Sequence, residues 1–281
     1  MKKVLLLIGM VGIVLSSYPA SADQTSGQYI TGQSVLQQAN ALWKQRGDQA
    51  LLQKSISLYE QAYAESPSYA TAEHLCRAYY FLADSFLSGD DKLNTYYKGF
   101  EWGIKAMETD PTFKKLYKDE GKTIDVASQH LGKSYESAIY WAGASIGKWA
   151  KMKGIFSTLE YSTKAKRMIE HVYTMDKNYF YGGPPRWLGT YYAIAPSFFG
   201  GSMKKSKELF DESLSIAPDY FATRVLMAEN YAVKMKDKAL FKQLLDYVLS
   251  KPADVIPGIE PDQKVEQEKA KKLLSETDKL F

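Results

Sequence analysis

The chain has 281 residues, with 36 Lys and Arg against 32 Asp and Glu and a net charge of +4. Both signs are interleaved along the chain, which argues against nucleic acid as a partner because nucleic acid needs a clustered basic face. Aromatic residues make up 14% of the chain, including 21 Tyr. Since helical cores are usually filled by Leu, Ile and Ala, this excess indicates either bulky packing or an aromatic-lined cavity.

The N-terminus has the three parts of a secretory signal. Two lysines are followed by the apolar run Val4–Leu15 and then by the small residues Ala20–Ala22. The run is too short to stay in a bilayer as a spanning helix. We therefore predict a signal peptide over residues 1–22, cleaved after Ala22, and a mature chain over residues 23–281 in a bacterial periplasm.

Four segments of the mature chain share one pattern, a helix that closes on a turn and an aromatic residue. Those aromatics are Tyr69, Phe113, Tyr179 and Tyr220, and a proline precedes three of them by two residues. Small residues recur at fixed offsets before each proline, as in the second helix of a tetratricopeptide repeat, where they let paired helices approach. The aromatics are 44, 66 and 41 residues apart, whereas tetratricopeptide arrays keep a period of about 34. We predict a single all-α domain of stacked antiparallel helical hairpins, tetratricopeptide-like with irregular spacing.

No sequence motif supports catalysis or a metal site. The segments Glu120–Thr123 ("EGKT") and Leu131–Ser134 ("LGKS") end like a nucleotide-binding loop, but each lacks the first glycine and neither follows a predicted strand. We interpret both as polar turns. The three histidines have no partner at metal-ligand spacing. Cys76, the only cysteine, lies in a helical pattern, which favours a buried, inert thiol. We predict that the protein is not an enzyme and has neither a metal nor a cofactor.

The stretch from residue 179 to residue 210 is unlike the rest of the chain, because two Gly-Gly pairs and a Pro-Pro pair interrupt a dense run of aromatics. We interpret it as a helical hairpin whose aromatic, glycine-edged turn shapes an apolar cavity. Ser202 is expected to cap the second helix. An anion held at that helix start, near Lys204 and Lys205, is the weaker alternative.

Several of these segments resemble one known family. The most specific marks are Tyr140-Trp141, the Gly-x-Tyr-Tyr of residues 189–192, the turn from Pro196 to Gly201, and the Leu-Leu…Leu-Phe pattern of residues 273–281. They resemble the T-component (TatT) family of tripartite ATP-independent periplasmic (TRAP) transporters over nearly the whole mature chain. The resemblance implies an all-helical fold, a homotrimer, a hydrophobic pore or cleft in each protomer, and association with the periplasmic substrate-binding P-component. Some members are lipoproteins, but this chain lacks the lipobox cysteine, so a membrane tether does not carry over.

The predicted ligand contacts come from the two hairpins that depart furthest from tetratricopeptide spacing. They are Tyr140, Trp141, Trp187, Tyr191, Tyr192, Phe198 and Phe199. Each could equally be helix-helix core, since aromatics at helical spacing usually pack there.

Two functions remain open from the sequence. The leading one is a non-enzymatic periplasmic accessory component of a TRAP-type uptake system, which binds or channels a partly apolar organic ligand and docks a P-component. The alternative is a tetratricopeptide-like scaffold of the cell envelope that carries no small molecule. A continuous aromatic-capped apolar tunnel would favour the first, and a solid aromatic core beside an exposed groove would favour the second.

Overall fold

The computed structural model describes residues 24–281, with side chains from residue 34 onward apart from residues 155, 156 and 159. These residues are helical throughout, with connecting turns and no strand. The prediction of an all-α fold is therefore confirmed. The predicted signal peptide over residues 1–22 and its cleavage point lie outside the described residues.

The α-helices follow one another in chain order. They are α1 (Gln24–Trp43), α2 (Gln49–Glu65), α3 (Tyr69–Phe86), α4 (Gly89–Met107), α5 (Pro111–Lys114), α6 (Ile124–Ala127), α7 (Glu136–Lys153), α8 (Ile155–Met175), α9 (Tyr179–Ile194), α10 (Met203–Ile216), α11 (Phe221–Leu226), α12 (Val233–Met235), α13 (Lys238–Ser250), α14 (Glu260–Ser275) and α15 (Thr277–Leu280). Within the described residues there are also two π-helical turns, Lys115–Asp119 and Met227–Ala232, and four 3₁₀ turns, Ser128–His130, Lys133–Tyr135, Ser197–Phe199 and Ala253–Val255.

Neighbouring helices pack in pairs. The pairs are α1 with α2, α3 with α4, α7 with α8, and α9 with α10, and α4 also packs along α7. Short connections make each pair antiparallel. The second helices end two to four residues before Pro67, Pro111 and Pro218, because proline cannot continue a helix. The tetratricopeptide-like detail and the single-domain boundaries remain predictions.

The small residues noted before the prolines lie where two backbones meet. Ser55 donates its hydroxyl to the carbonyl of Ala39 in the preceding helix at 2.8 Å, and Ser206 does the same to the carbonyl of Gly189 at 2.8 Å. Gly99 holds the equivalent place in α4, where an added Cβ would lie 3.3 Å from a carbonyl oxygen of α3. A larger side chain at these positions would push the paired helices apart.

The longest connection, residues 108–135, joins α4 to α7 and carries both glycine-lysine segments. Residues 120–123 and 132–134 are exposed and lie in irregular or 3₁₀ structure. Gly121 has a φ of +64°, a left-handed conformation that favours glycine. Both segments therefore lie in polar turns, as predicted.

Helix α14 returns from the C-terminal end to the first hairpins. Arg46, in the turn after α1, donates through Nε to Asp262 at 2.8 Å. Further along α14, Lys269 donates to Asp84 of α3. These bonds join residues that are 216 and 185 positions apart in the sequence, and α14 forms one wall of an internal cavity.

Candidate functional site

A cavity of about 960 Å³ lies between α3, α7, α9, α11 and α14. Ligand pockets for small organic molecules usually measure about 300–1,000 Å³. Hydrophobic residues on either side form two groups, one from residues 39–188 and one from residues 210–270. Residues of both groups line the cavity, so both contribute to its wall.

One wall of the cavity is built from aromatic rings packed edge to face or tilted against one another. Trp141 is the centre, with ring centroids 5.0 Å from Tyr140, 5.1 Å from Tyr80 and 4.7 Å from Phe180. Tyr140 and Trp141 are only 4% and 5% exposed. They are thus part of the core and part of the cavity wall at once, and such edge-to-face pairs fix the ring positions.

A chain of hydrogen bonds holds the Trp141 ring from behind. Its Nε1 donates to the Tyr179 hydroxyl at 3.1 Å, and that hydroxyl donates to Ser137 Oγ at 2.7 Å. Ser137 in turn donates to the Glu73 carboxylate. Burial raises the pKa of Glu73, although the bond from Ser137 and the nearby Arg77 oppose this. A buried ring held this way is pre-organised, since it need not reorient to contact a ligand.

A second aromatic surface comes from α9. Trp187 and Tyr191 stack with centroids 5.9 Å apart and an interplanar angle of 12°. Trp187 lies against α7 at Gly147, where an added Cβ would be 2.8 Å from Cζ2 of the indole. Gly147 is therefore required for this ring to lie flat along the cavity.

The structure brings five of the seven predicted aromatics to the cavity wall and leaves two away from it. Tyr140, Trp141, Trp187, Tyr191 and Phe199 line the cavity. Tyr192 is half-buried, with Lys205 Nζ 5.3 Å from its ring centre. Phe198, at the tip of the 197–199 turn, is 81% exposed. As ligand contacts all seven remain predictions.

Charged side chains that the sequence reasoning missed also line the cavity. Asp84 accepts from Lys148 at 3.0 Å and also from Lys269, which reaches Glu266 at 2.7 Å. Burial disfavours the ionised form of Asp84, but Lys148 and Lys269 more than offset this and hold its pKa well below the usual range. Burial has the larger effect on Glu266 and raises its pKa. The network is a rigid, paired set of charges on the cavity wall.

The chain enters α9 through a left-handed turn. Phe180, Tyr181 and Gly182 have φ angles of 44°, 58° and 68°. Two of these are aromatic residues, for which this conformation is unfavourable and persists only when surrounding contacts hold it. Arg186 donates to the carbonyls of Tyr181 at 2.9 Å and Phe180 at 3.3 Å. In this turn Phe180 lines the cavity, and the Tyr181 ring stacks on Tyr220 with centroids 5.0 Å apart.

Comparison with known proteins gives the family. The family model described as TRAP transporter T-component matches residues 36–281. The chain belongs to the TRAP transporter T-component family. The resemblance noted in the sequence is thereby confirmed, and the protein is an accessory component of TRAP transport. No curated protein matches the chain.

Three further observations describe this T-component. Within residues 24–281, no helix is both long enough and apolar enough to cross a membrane. Over the same residues, no group of three or more His, Cys, Asp or Glu side chains is arranged to hold a metal ion. Cys76 is fully buried, and burial raises the pKa of its thiol well above the usual range. That environment agrees with the predicted inert thiol.

The missed charged residues had a usable signal in the T-component sequence. Lys148 lies in "SAIYWAGASIGKWAKM", where almost every neighbour is apolar. Arg186 likewise follows two prolines inside an aromatic run. A lone cation in an apolar stretch must either find a partner or face a cavity. The partners themselves could not be found, because Asp84 and Lys269 lie 64 residues before and 121 residues after Lys148 in the sequence.

Proposed function

We propose that this T-component binds or passes a partly apolar organic ligand in the cavity and docks a periplasmic substrate-binding P-component. The observation that carries the proposal is the aromatic-walled cavity of about 960 Å³ inside a chain of this family. Protein interiors are otherwise close-packed, and leaving apolar side chains without contacts costs stability. A scaffold without a ligand has no need of such a space.

The apolar part of the ligand is proposed to lie between the Trp141 wall and the stacked rings of Trp187 and Tyr191. Both surfaces are fixed, the first by the hydrogen bonds behind Trp141 and the second by the close fit of Trp187 on Gly147. A flat or chain-like apolar group would gain contact with both. Burial of its surface supplies the binding free energy at about 25 cal/mol per Å² of apolar area.

The direct test uses a neutral fluorescent probe, N-phenyl-1-naphthylamine, with the full mature protein. Trp187→Ala removes one face of the cavity and should weaken probe binding by about 1–3 kcal/mol, a factor of about 5–150. Trp149→Ala is the matched control, because Trp149 lies on α7 and packs against Tyr97 and Tyr161 instead of lining the cavity. Lys204→Ala combined with Lys205→Ala should leave the affinity unchanged.

Equal losses in the Trp187 and Trp149 variants would mean that the probe reports stability and not the cavity. If only the lysine pair abolished binding, the site would be the helix start at Ser202. Circular dichroism of each variant, which should stay helical, separates these outcomes from unfolding.

The rim of the cavity is the proposed contact with the P-component. Ile194 and Phe199 line the cavity and are 41% and 43% exposed, and the neighbouring Phe198 is 81% exposed. Exposed apolar residues grouped this way typically mark interaction sites. Phe198→Asp should weaken capture of the P-component by at least about tenfold and weaken probe binding much less than Trp187→Ala does, because Phe198 does not line the cavity wall. Unchanged capture would refute this placement.

The homotrimer implied by the family is part of the same proposal. Light scattering during size-exclusion chromatography should give three times the mass of the mature chain. A monomer at micromolar concentration would contradict it. If the P-component is captured but no small molecule binds, the scaffold alternative replaces the ligand-binding proposal.

A further inference from the structure

We infer that the cavity ligand carries an anionic head group, a carboxylate or a similar planar oxyanion, and that Arg186 binds it. This inference rests on the proposed function and names the chemistry of its ligand. It begins with the placement of one cation. Arg186 lines the cavity and is only 4% exposed.

The guanidinium of Arg186 makes no ion pair with any described residue. Its nitrogens donate to two backbone carbonyls, of Tyr181 and Phe180, and approach the Tyr140 hydroxyl at 3.5 Å. Tyr220 lies under the guanidinium, with its ring centre 4.4 Å from Cζ. All four contacts are with neutral groups. A buried guanidinium normally has a carboxylate or phosphate partner, because neutral groups only partly replace its hydration.

Three other cations that line the cavity differ from Arg186, because each has a carboxylate partner. Lys148 and Lys269 share the Asp84 carboxylate. Arg77 has an oxygen of Asp262 at 3.7 Å. These three cations are paired and need no ligand, whereas Arg186 is a buried cation whose countercharge a ligand can supply.

The hydrogen-bond donors of Arg186 that remain unused suit a planar anion. The guanidinium has five N–H donors in a fixed fork, which matches two oxygens of a carboxylate. The Nε atom donates no hydrogen bond to any described residue, whereas Nη1 and Nη2 are used. An anion at this point lies beside the rings of Tyr140 and Tyr220, so an organic anion with an apolar body fits better than a free inorganic ion.

Arg77 adds positive potential close by. Its Cζ lies 4.7 Å from the ring centre of Phe180, the residue whose carbonyl Arg186 binds. The two arginines therefore approach Phe180 from its side chain and from its backbone. Since Asp262 already balances Arg77 in part, Arg186 remains the group that selects charge.

A structural role for Arg186 in the left-handed turn explains two of its bonds but not its unmatched charge. The experiment must therefore separate charge recognition from stability. It compares two ligands of the same shape, naphthalene-2-carboxylate and the neutral naphthalen-2-ylmethanol, by isothermal titration calorimetry on the full mature protein.

The native protein should bind the carboxylate about tenfold or more tightly than the alcohol, as a charge-assisted bond predicts. Arg186→Gln should remove this preference and leave the alcohol affinity within about twofold, and Arg186→Lys should keep part of it. Lys151→Gln, at the exposed edge of the cavity, removes one charge as a control and should not change the ratio. Naphthalene-2-phosphonate distinguishes a carboxylate site from a phosphate-type site.

Two outcomes overturn the inference in different ways. Equal binding of the acid and the alcohol, both weakened by Trp187→Ala, would refute the anionic head group and leave the apolar site standing. Failure of both ligands to bind the native protein would refute the site itself, and with it the proposed function. A preference that survives Arg186→Gln would assign the anion to another residue.

Discussion

Replacing Gly103 by alanine should destabilise the protein through the contact of α4 with α3 and α7. Gly103 is buried between these helices. An added Cβ would lie 2.6 Å from the Cβ of Ala142 and 3.1 Å from Sγ of Cys76. Carbon atoms in contact are ordinarily about 3.5–4.0 Å apart. The helices must therefore separate by roughly 1 Å at this point.

Overpacking of this kind costs about 1–3 kcal/mol in a well-packed core. Alanine is the better helix former by about 0.8–1.0 kcal/mol, which offsets part of that cost. Because the added Cβ would lie only 2.6 Å from Ala142, we expect the upper part of that range, about 2–3 kcal/mol, and hence a net loss of about 1–2 kcal/mol, or about 2–8 °C in Tm for a chain of this size. Urea unfolding followed by circular dichroism measures it.

Two further variants make the test specific. Gly132→Ala is the control, since nothing lies within 4 Å of a Cβ at Gly132 and its backbone is extended. Ala142→Gly in the Gly103→Ala background removes the closest contact and should recover part of the loss. If Gly103→Ala were as stable as the native protein, or if Ala142→Gly only added to the damage, the packing of α4 on α7 described above would be wrong.

Asp84→Asn should cost about 2–4 kcal/mol at pH 7, because Lys148 loses its carboxylate partner and Lys269 loses one of two. The folded pKa of Asp84 lies below its unfolded value, so the difference in unfolding free energy between the variant and the native protein should be complete above about pH 4 and shrink as the pH falls further. A difference in urea midpoint that did not change with pH would refute this. Pro111→Ala should lower Tm slightly without changing probe binding, whereas lost binding at unchanged Tm would mean that Pro111 shapes the site. N-terminal sequencing of the exported protein should begin at Asp23, and a retained initiator methionine on a membrane-bound product would contradict cleavage.

The helices could be predicted from the sequence because their signals are local. Proline, the capping residue and the small residues all lie within about a dozen positions of one another at each closing helix. Ser55 and Ser206 illustrate this, since their positions relative to the proline alone indicated a close helix contact. The left-handed turn at Phe180 and Tyr181 could not be predicted, because no glycine marks those two positions. Bonds from Arg186 hold that turn, and they depend on the tertiary fold.

The cavity was only partly predictable for a similar reason. Irregular spacing and aromatic density identified the right hairpins, and most of the predicted rings line the cavity. Phe198 and Phe199 are adjacent in a 3₁₀ turn, and only the backbone geometry decides that Phe199 faces the cavity and Phe198 faces solvent. The charged wall joins helices far apart in sequence, so the pairing of Asp84 with Lys269 had no local signature.

The most direct test of a ligand-binding cavity is native mass spectrometry of the protein purified gently from periplasm. We predict an additional small-molecule mass at one copy per chain. That mass should be lost from Trp187→Ala and kept by Trp149→Ala, both of which should remain folded. A bare chain mass for the native protein, or an additional mass that survives Trp187→Ala and is lost from Trp149→Ala, would contradict the assignment of the cavity as the site.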